Sequence, residues 1–187
     1  MALLLPFKAW RPIPEKAKQI VSVPYDVIDS SEAKKLAENN PLSFLHVIRP
    51  EIDLPKDTDI YATEVYEKGK SNLKDLLSSS HFTQEQEPAV YIYRLVWNGR
   101  SQTGIFACVS TKDYDDNVIL KHELTRPDKE DDRTQHLISQ KAHAEPVMMT
   151  FEDSEDITEI MNSVASGKPI YSVELDDVEH TIWKANN

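Results

Sequence analysis

Glycine is scarce in this 187-residue chain: Gly69, Gly99, Gly104 and Gly167 are the only four, which excludes a glycine-rich phosphate loop. No Gly-x-Ser-x-Gly nucleophile elbow occurs either. Cysteine is scarcer still. Cys108 stands alone, so no internal disulfide can form, which fits a reducing cytoplasm; its place in the apolar run Gly104 to Val109 predicts a buried thiol. Long apolar runs are missing too. No stretch approaches a membrane span, and the opening MALLLPFKAWRP is too short for a signal h-region and is broken by Pro6 and Lys8. Positive charge is the minority sign, with 21 Lys and Arg against 32 Asp and Glu, and the resulting charge of -11 repels nucleic-acid phosphates and anionic membrane. The aromatic cluster Tyr91, Tyr93 and Trp97 has only Arg94 and Arg100 beside it, so neither nucleic acid nor membrane is an expected partner.

A zinc-hydrolase signature is also lacking, because His122-Glu123 is followed by Leu124-Thr125-Arg126 and not by a second histidine one helical turn on. No metal site is expected from protein ligands of that kind. His136 and His143, two turns apart on one predicted helix, are expected to face solvent. Carboxylates with waters leave magnesium open.

What is present describes a globular chain, 40% hydrophobic and 28% charged, of a length that suits one domain over residues 1–187 with some excess for an appended subdomain. Leu3 to Phe7 and Ile20 to Val23 read as strands joined by the loop Arg11 to Lys18. Ser30 or Ser31 can cap a helix over Ser31 to Glu38, Phe44 to Ile48 reads as a strand, and the period of Thr58 to Leu77 predicts the longest helix, despite Gly69. Asn98-Gly99 tolerates the positive φ angles of a tight turn, so Ala89 to Trp97 and Ser101 to Val109 form a hairpin. Val118 to Lys121 and Pro146 to Phe151 read as further strands around a helix from Lys129 to His143. Helix Ile157 to Val164, strand Ile170 to Leu175 and a strand or helix at Glu179 to Trp183 follow. The pattern is α+β, with a mixed, mainly antiparallel sheet and flanking helices.

The densest chemistry lies in Ile119 to Arg133, ILKHELTRPDKEDDR. Phosphoryl transfer needs a group to accept the attacking hydroxyl's proton and cations to meet the charge spread over the transferred oxygens. Glu123 meets the first need; Arg133, Lys129 or Arg126, and the Thr125 hydroxyl meet the second. The spacing alone favours the plainer reading, a salt-bridged surface helix with its acids at the favourable end. His122 fits a satisfied strand-end histidine as well as a site residue. Tyr25-Asp26 forms a second candidate polar site that a simple turn also explains, and Arg49-Pro50-Glu51 is similar.

Four motifs in order, PFKAWRP at Pro6 to Pro12, VPYDVID at Val23 to Asp29, NPLSFLHVIRPEID at Asn40 to Asp53 and KHELTRPDKEDDR at Lys121 to Arg133, resemble the N-terminal part of the DUF1015 family across nearly the whole chain. That family resembles the ParB/sulfiredoxin-like group, in which free-serine kinases phosphorylate the serine hydroxyl using a nucleotide. The resemblance implies that Glu123 is the general base and His122 a site residue. It also implies ATP or ADP with magnesium as cofactors and a small-molecule substrate. The family's Asp-Gly-His-His-Arg box, which binds nucleotide phosphates, does not occur in this sequence. The chain is therefore expected to be the N-terminal portion of a longer family protein, carrying half of a site, with an apolar patch that favours a homodimer. A non-enzymatic ligand-binding or regulatory module is the alternative.

Overall fold

The computed structural model describes residues 2–122 and 124–185. In chain order its elements are β1 Leu4–Leu5, β2 Trp10–Pro12, α1 Pro14–Ile20, α2 Ser30–Leu36, α3 Leu45–Ile48, α4 Thr63–Ser78, β3 Phe82–Gln84, β4 Val90–Trp97 and β5 Arg100–Phe106. There follow β6 Cys108–Val109, α5 Thr111–Asp115, α6 Pro127–Gln140, α7 Glu155–Ala165, β7 Tyr171–Leu175 and β8 Val178–Ala185. Single turns of 3₁₀ helix lie at Tyr25–Val27 and Pro50–Asp53. The architecture is α+β with small antiparallel sheets and flanking helices, as the sequence pattern predicts. The residues group into two units, one of Met1–Lys18, Thr83–Leu124 and Met149–Asn187, the other of Gln19–Phe82 and Thr125–Met148.

The first unit is built on a four-stranded sheet in the order β5-β4-β8-β7. Both of its hairpins turn through pairs of positive φ, Asn98 and Gly99 between β4 and β5, Asp176 and Asp177 between β7 and β8. Such turns match the twist of the flanking strands. Alternation along each strand gives the sheet two unlike faces. Ile92 and Trp183, directly opposite in the β4–β8 ladder, join Ile105 and α7's Met161, Ile157 and Val164 in an apolar core. The other face carries Tyr91, Tyr171 and Lys184, where Glu85 accepts from Arg11 at 2.5 Å and from Lys184 at 2.6 Å. Those two cations hold the Glu85 carboxyl below its ordinary range, the Lys184 hydrogen bond most of all.

The second unit is helical. Its core gathers Ala33, Leu45, Val47, Ile48, Leu73 and Leu76 from α2, α3 and α4. Asp29 starts α2 with a capping box, its Oδ1 accepting from the amides of Ser31 and Glu32 while Glu32 accepts from the Asp29 amide. The cap is thus Asp29, one residue ahead of the two serines the sequence suggested. In α4, Gly69 explains itself: an added Cβ would lie 3.0 Å from Gln140 Nε2 and 3.1 Å from the Val47 carbonyl oxygen, so only glycine lets α4, α6 and α3 approach this closely.

Several expectations are corrected. Arg11 to Lys18 is not a loop leading to a strand at Ile20 to Val23: Pro14 opens α1, whose buried Ala17 and Ile20 are three residues apart, a helical spacing. Phe44 to Ile48 is not a strand but contains α3, since a short apolar run carries no period to separate the two. Val118 to Lys121 forms no strand; the amides of Val118 and Ile119 instead donate to the Asp113 carbonyl and close α5. Pro146 to Phe151 is also without strand structure. Cys108 is exposed and not buried, on the two-residue strand β6 that pairs with β1. Among the described residues no helix is long and apolar enough to cross a membrane.

Candidate functional site

α6 begins at Pro127, whose missing N–H suits the first helical turn, and carries Asp128 and Glu130 where acids favour a helix start. From there it inverts the usual amphipathic rule. Asp132 and His136 are buried, at 7% exposure each, while Leu137 and Ile138 remain 41% and 59% exposed. Buried polar groups against exposed apolar ones are the informative departure from an ordinary surface helix.

Lys129, Arg133 and Leu137, each four residues on from the last, form one stripe of α6. With Thr125 ahead of the helix and Tyr25 from the preceding 3₁₀ turn they line a cleft of about 300 Å³. Arg133 organises it. Its guanidinium carbon stands 3.9 Å from the centre of the Tyr25 ring, its Nη2 donates to Asp132 Oδ2 at 2.7 Å and its Nη1 to Glu145 Oε2 at 2.8 Å. Nε also donates to Asp132, so every nitrogen of the guanidinium is already bound to a carboxylate. Lys129 is different: among the described residues it has no ion-pair partner.

Behind the cleft runs a buried polar network. Asp132 Oδ1 accepts from the Tyr66 hydroxyl at 3.2 Å and lies 3.9 Å from His136 Nε2, and the Tyr66 and His136 rings meet edge to face at 4.9 Å. Burial, then the Arg133 charge, push the His136 pKa down to about 4, with Asp132 opposing and Arg49 adding to the fall. Burial and the Asp132 carboxylate raise the Tyr66 hydroxyl to about 12. Burial also raises Glu145, against the pull of Arg133. Arg49 belongs to the same unit, where its Nη2 donates to Ser30 Oγ at 3.0 Å and Ser30 in turn donates to Glu51 at 2.8 Å.

Of the residues proposed from sequence, Tyr25, Thr125, Lys129 and Arg133 meet at this cleft. Asp26, next to Tyr25, is exposed and does not line it. His122 is exposed and belongs to the first unit; Glu123 lies outside the described residues. The expectation that His136 faces solvent is overturned, since α6 turns it inward, while His143 lies beyond the helix and is exposed. Sequence reasoning missed Asp132, Glu145 and Tyr66 as partners of the site. The signal available for Asp132 was its spacing: with His136 and Gln140 it falls on one face of the helix. Glu145 and Tyr66 meet α6 only through tertiary packing. Among the described residues no group of three or more His, Cys, Asp or Glu side chains is arranged to hold a metal ion.

Fold and cleft together define an α+β protein with a cleft lined by Lys129, Glu130 and Arg133 beside a buried network of Asp132, Tyr66 and His136. The chain belongs to the DUF1015 family of proteins of unknown function, whose model matches residues 4–187. No curated protein and no solved structure matches it.

Proposed function

We propose that the protein is a nucleotide-dependent small-molecule kinase of the free-serine kinase-like type, and that this chain carries the acid-base half of its site. The observation that supports this is the convergence of Thr125, Lys129, Arg133 and Tyr25 on one cleft in a chain of net charge -11. Glu130 also lines the cleft and Arg133 is held by two carboxylates, so the charge that favours an anionic group is the Lys129 ammonium, which has no ion-pair partner among the described residues. In the proposed reaction a substrate hydroxyl attacks phosphorus, its proton passes to Glu123, and the bond from phosphorus to the bridging oxygen breaks with its electron pair leaving on the nucleotide. Glu123 stands two residues ahead of Thr125 in the sequence, with His122 beside it. Lys129 and Thr125 meet phosphoryl oxygens in this reading. Arg133, its nitrogens held by Asp132 and Glu145, fixes the Tyr25 wall.

Lys129 and Thr125 fit the phosphates of ATP or ADP; magnesium finds no ready group of protein ligands among the described residues. The test is phosphate transfer to free serine by the full-length protein with ATP or ADP and magnesium. Glu123→Gln is expected to slow turnover by about 10²- to 10⁴-fold, the usual contribution of a general base. Equal turnover in the two removes Glu123 from that role, and no turnover on any hydroxyl substrate counts against a kinase.

A second reading, a non-enzymatic ligand-binding or regulatory module, draws on the engaged state of Arg133 and on the missing Asp-Gly-His-His-Arg string. Calorimetry with ATP, ADP and serine separates the two. Binding without turnover in the full-length protein selects the module.

A further inference from the structure

The second unit holds another and larger cleft, of about 460 Å³, that the proposed reaction does not use. It lies between the first half of α4 and the end of α6. Thr63, Tyr66 and Lys70 fall on one face of α4, and Ile138, Ser139 and Lys141 close the other side.

Lys141 is the informative residue. It caps α6 in the left-handed region at φ 53, where helices ordinarily end on glycine or asparagine. The described residues contain six non-glycine positions of positive φ, and the other five, Asn39, Asn98, Asn117, Asp176 and Asp177, are all Asn or Asp, the types that tolerate it. Only Lys141 breaks that pattern. A long cationic side chain held at a backbone position that disfavours it, on the rim of this cleft, points to a use for the cation.

The lining specifies the ligand. Lys70 is paired with Glu67 at 3.0 Å, which leaves Lys141, without an ion-pair partner among the described residues, as the uncompensated charge of the cleft. The Tyr61 and Tyr66 rings and the exposed Ile138 offer apolar walls, and Thr63 and Gln135 offer hydrogen bonds. We infer that this cleft is a second ligand site, for a small organic anion whose carboxylate or phosphate meets Lys141 and whose apolar body lies against Tyr61 and Ile138. The inference does not depend on the kinase reading, which uses other residues.

Lys141→Gly provides a test that unfolding cannot mimic, because glycine suits φ 53 and should leave the melting temperature equal or higher. Phenyl phosphate, benzoate, inorganic phosphate and neutral phenol are titrated into the 15N-labelled chain. Saturable shifts of the amides of Tyr61, Tyr66 and Ser139 are expected with phenyl phosphate or benzoate, with at least 10-fold weaker binding of phenol and of inorganic phosphate. Which of the two aromatic anions binds more tightly identifies the charged group. Lys141→Gly should weaken binding by at least 10-fold, and Lys129→Ala, in the other cleft, should leave it unchanged. No saturable shift with either aromatic anion overturns the inference. So does Lys141→Gly binding as tightly as the wild type, or loss of binding in Lys129→Ala with retention in Lys141→Gly.

Discussion

His136 is a side chain whose chemistry is decided almost wholly by its surroundings. It is buried on α6 with Arg133 and Arg49 nearby, and one carboxylate, Asp132, only partly offsets them. Neutral imidazole is therefore the folded form, titrating near 4 against 6.5 in the unfolded chain. Between these two values the unfolded state binds more protons, so stability is fully present above 6.5 and is lost as pH falls toward 4. A fall of that size corresponds to about 3 kcal/mol at most. Glu145, raised by burial, acts in the opposite direction over its own range, so the comparison must be made against a variant and not on the wild type alone. Urea midpoints of the wild type should drop between pH 6.5 and 4, and those of His136→Gln should drop distinctly less. Parallel pH profiles for the two proteins would show that the imidazole is not the group responsible.

Packing at the level of elements hinges on the α4–α6 approach at Gly69. A methyl there gains helix propensity of about 1 kcal/mol but must displace the Val47 carbonyl and the Gln140 amide, and overpacking of that kind costs about 1–3 kcal/mol. Gly69→Ala is expected to destabilise by about 0–2 kcal/mol net in urea unfolding; a variant more stable than the wild type by the full propensity gain would mean that the helices can part without cost. The same glycine shows what was legible in the sequence. The helical period around it was plain and located α4, yet the reason for a glycine in mid-helix needed the neighbouring helix. Long periodic or turn-marked segments, α4, α6, α7 and the β4–β5 hairpin, were readable for the same reason: many residues vote on one period. The short apolar runs at Ile20 and Phe44 were not, because so few residues can serve either a strand or a buried turn of helix. For the cleft, the stripe of Lys129 and Arg133 was visible as spacing, and Thr125 and Tyr25 as neighbouring polar sites. The inward turn of Asp132 and His136 was not read, since a charged helix is ordinarily taken to face water. Glu145 and Tyr66 could be found only by seeing what packs against α6.

For the whole molecule the governing quantity is charge. At -11 the chain repels itself at neutral pH, and the cost of that repulsion falls as salt screens it. Ion pairs would change in the opposite sense, but few are placed to matter. The pairs Lys70–Glu67, Lys112–Asp116 and Arg126–Asp128 are largely exposed, where each contributes little. Others, among them Arg11–Glu85–Lys184 in the first unit and Arg49–Glu51 and Asp132–Arg133–Glu145 in the second, are at least partly withdrawn from solvent and correspondingly less screened. The two effects therefore do not cancel: salt removes long-range repulsion while sparing the inner pairs. Raising sodium chloride from about 20 mM to about 200 mM, across which the screening length falls from roughly 20 Å to below 10 Å, should raise the melting temperature by a few degrees at pH 7.5. Lowering the net charge by exposed Glu-to-Gln changes, such as Glu64→Gln with Glu159→Gln, should raise it at low salt and narrow the response to salt. A melting temperature that falls with salt would instead assign the larger electrostatic contribution to the surface pairs.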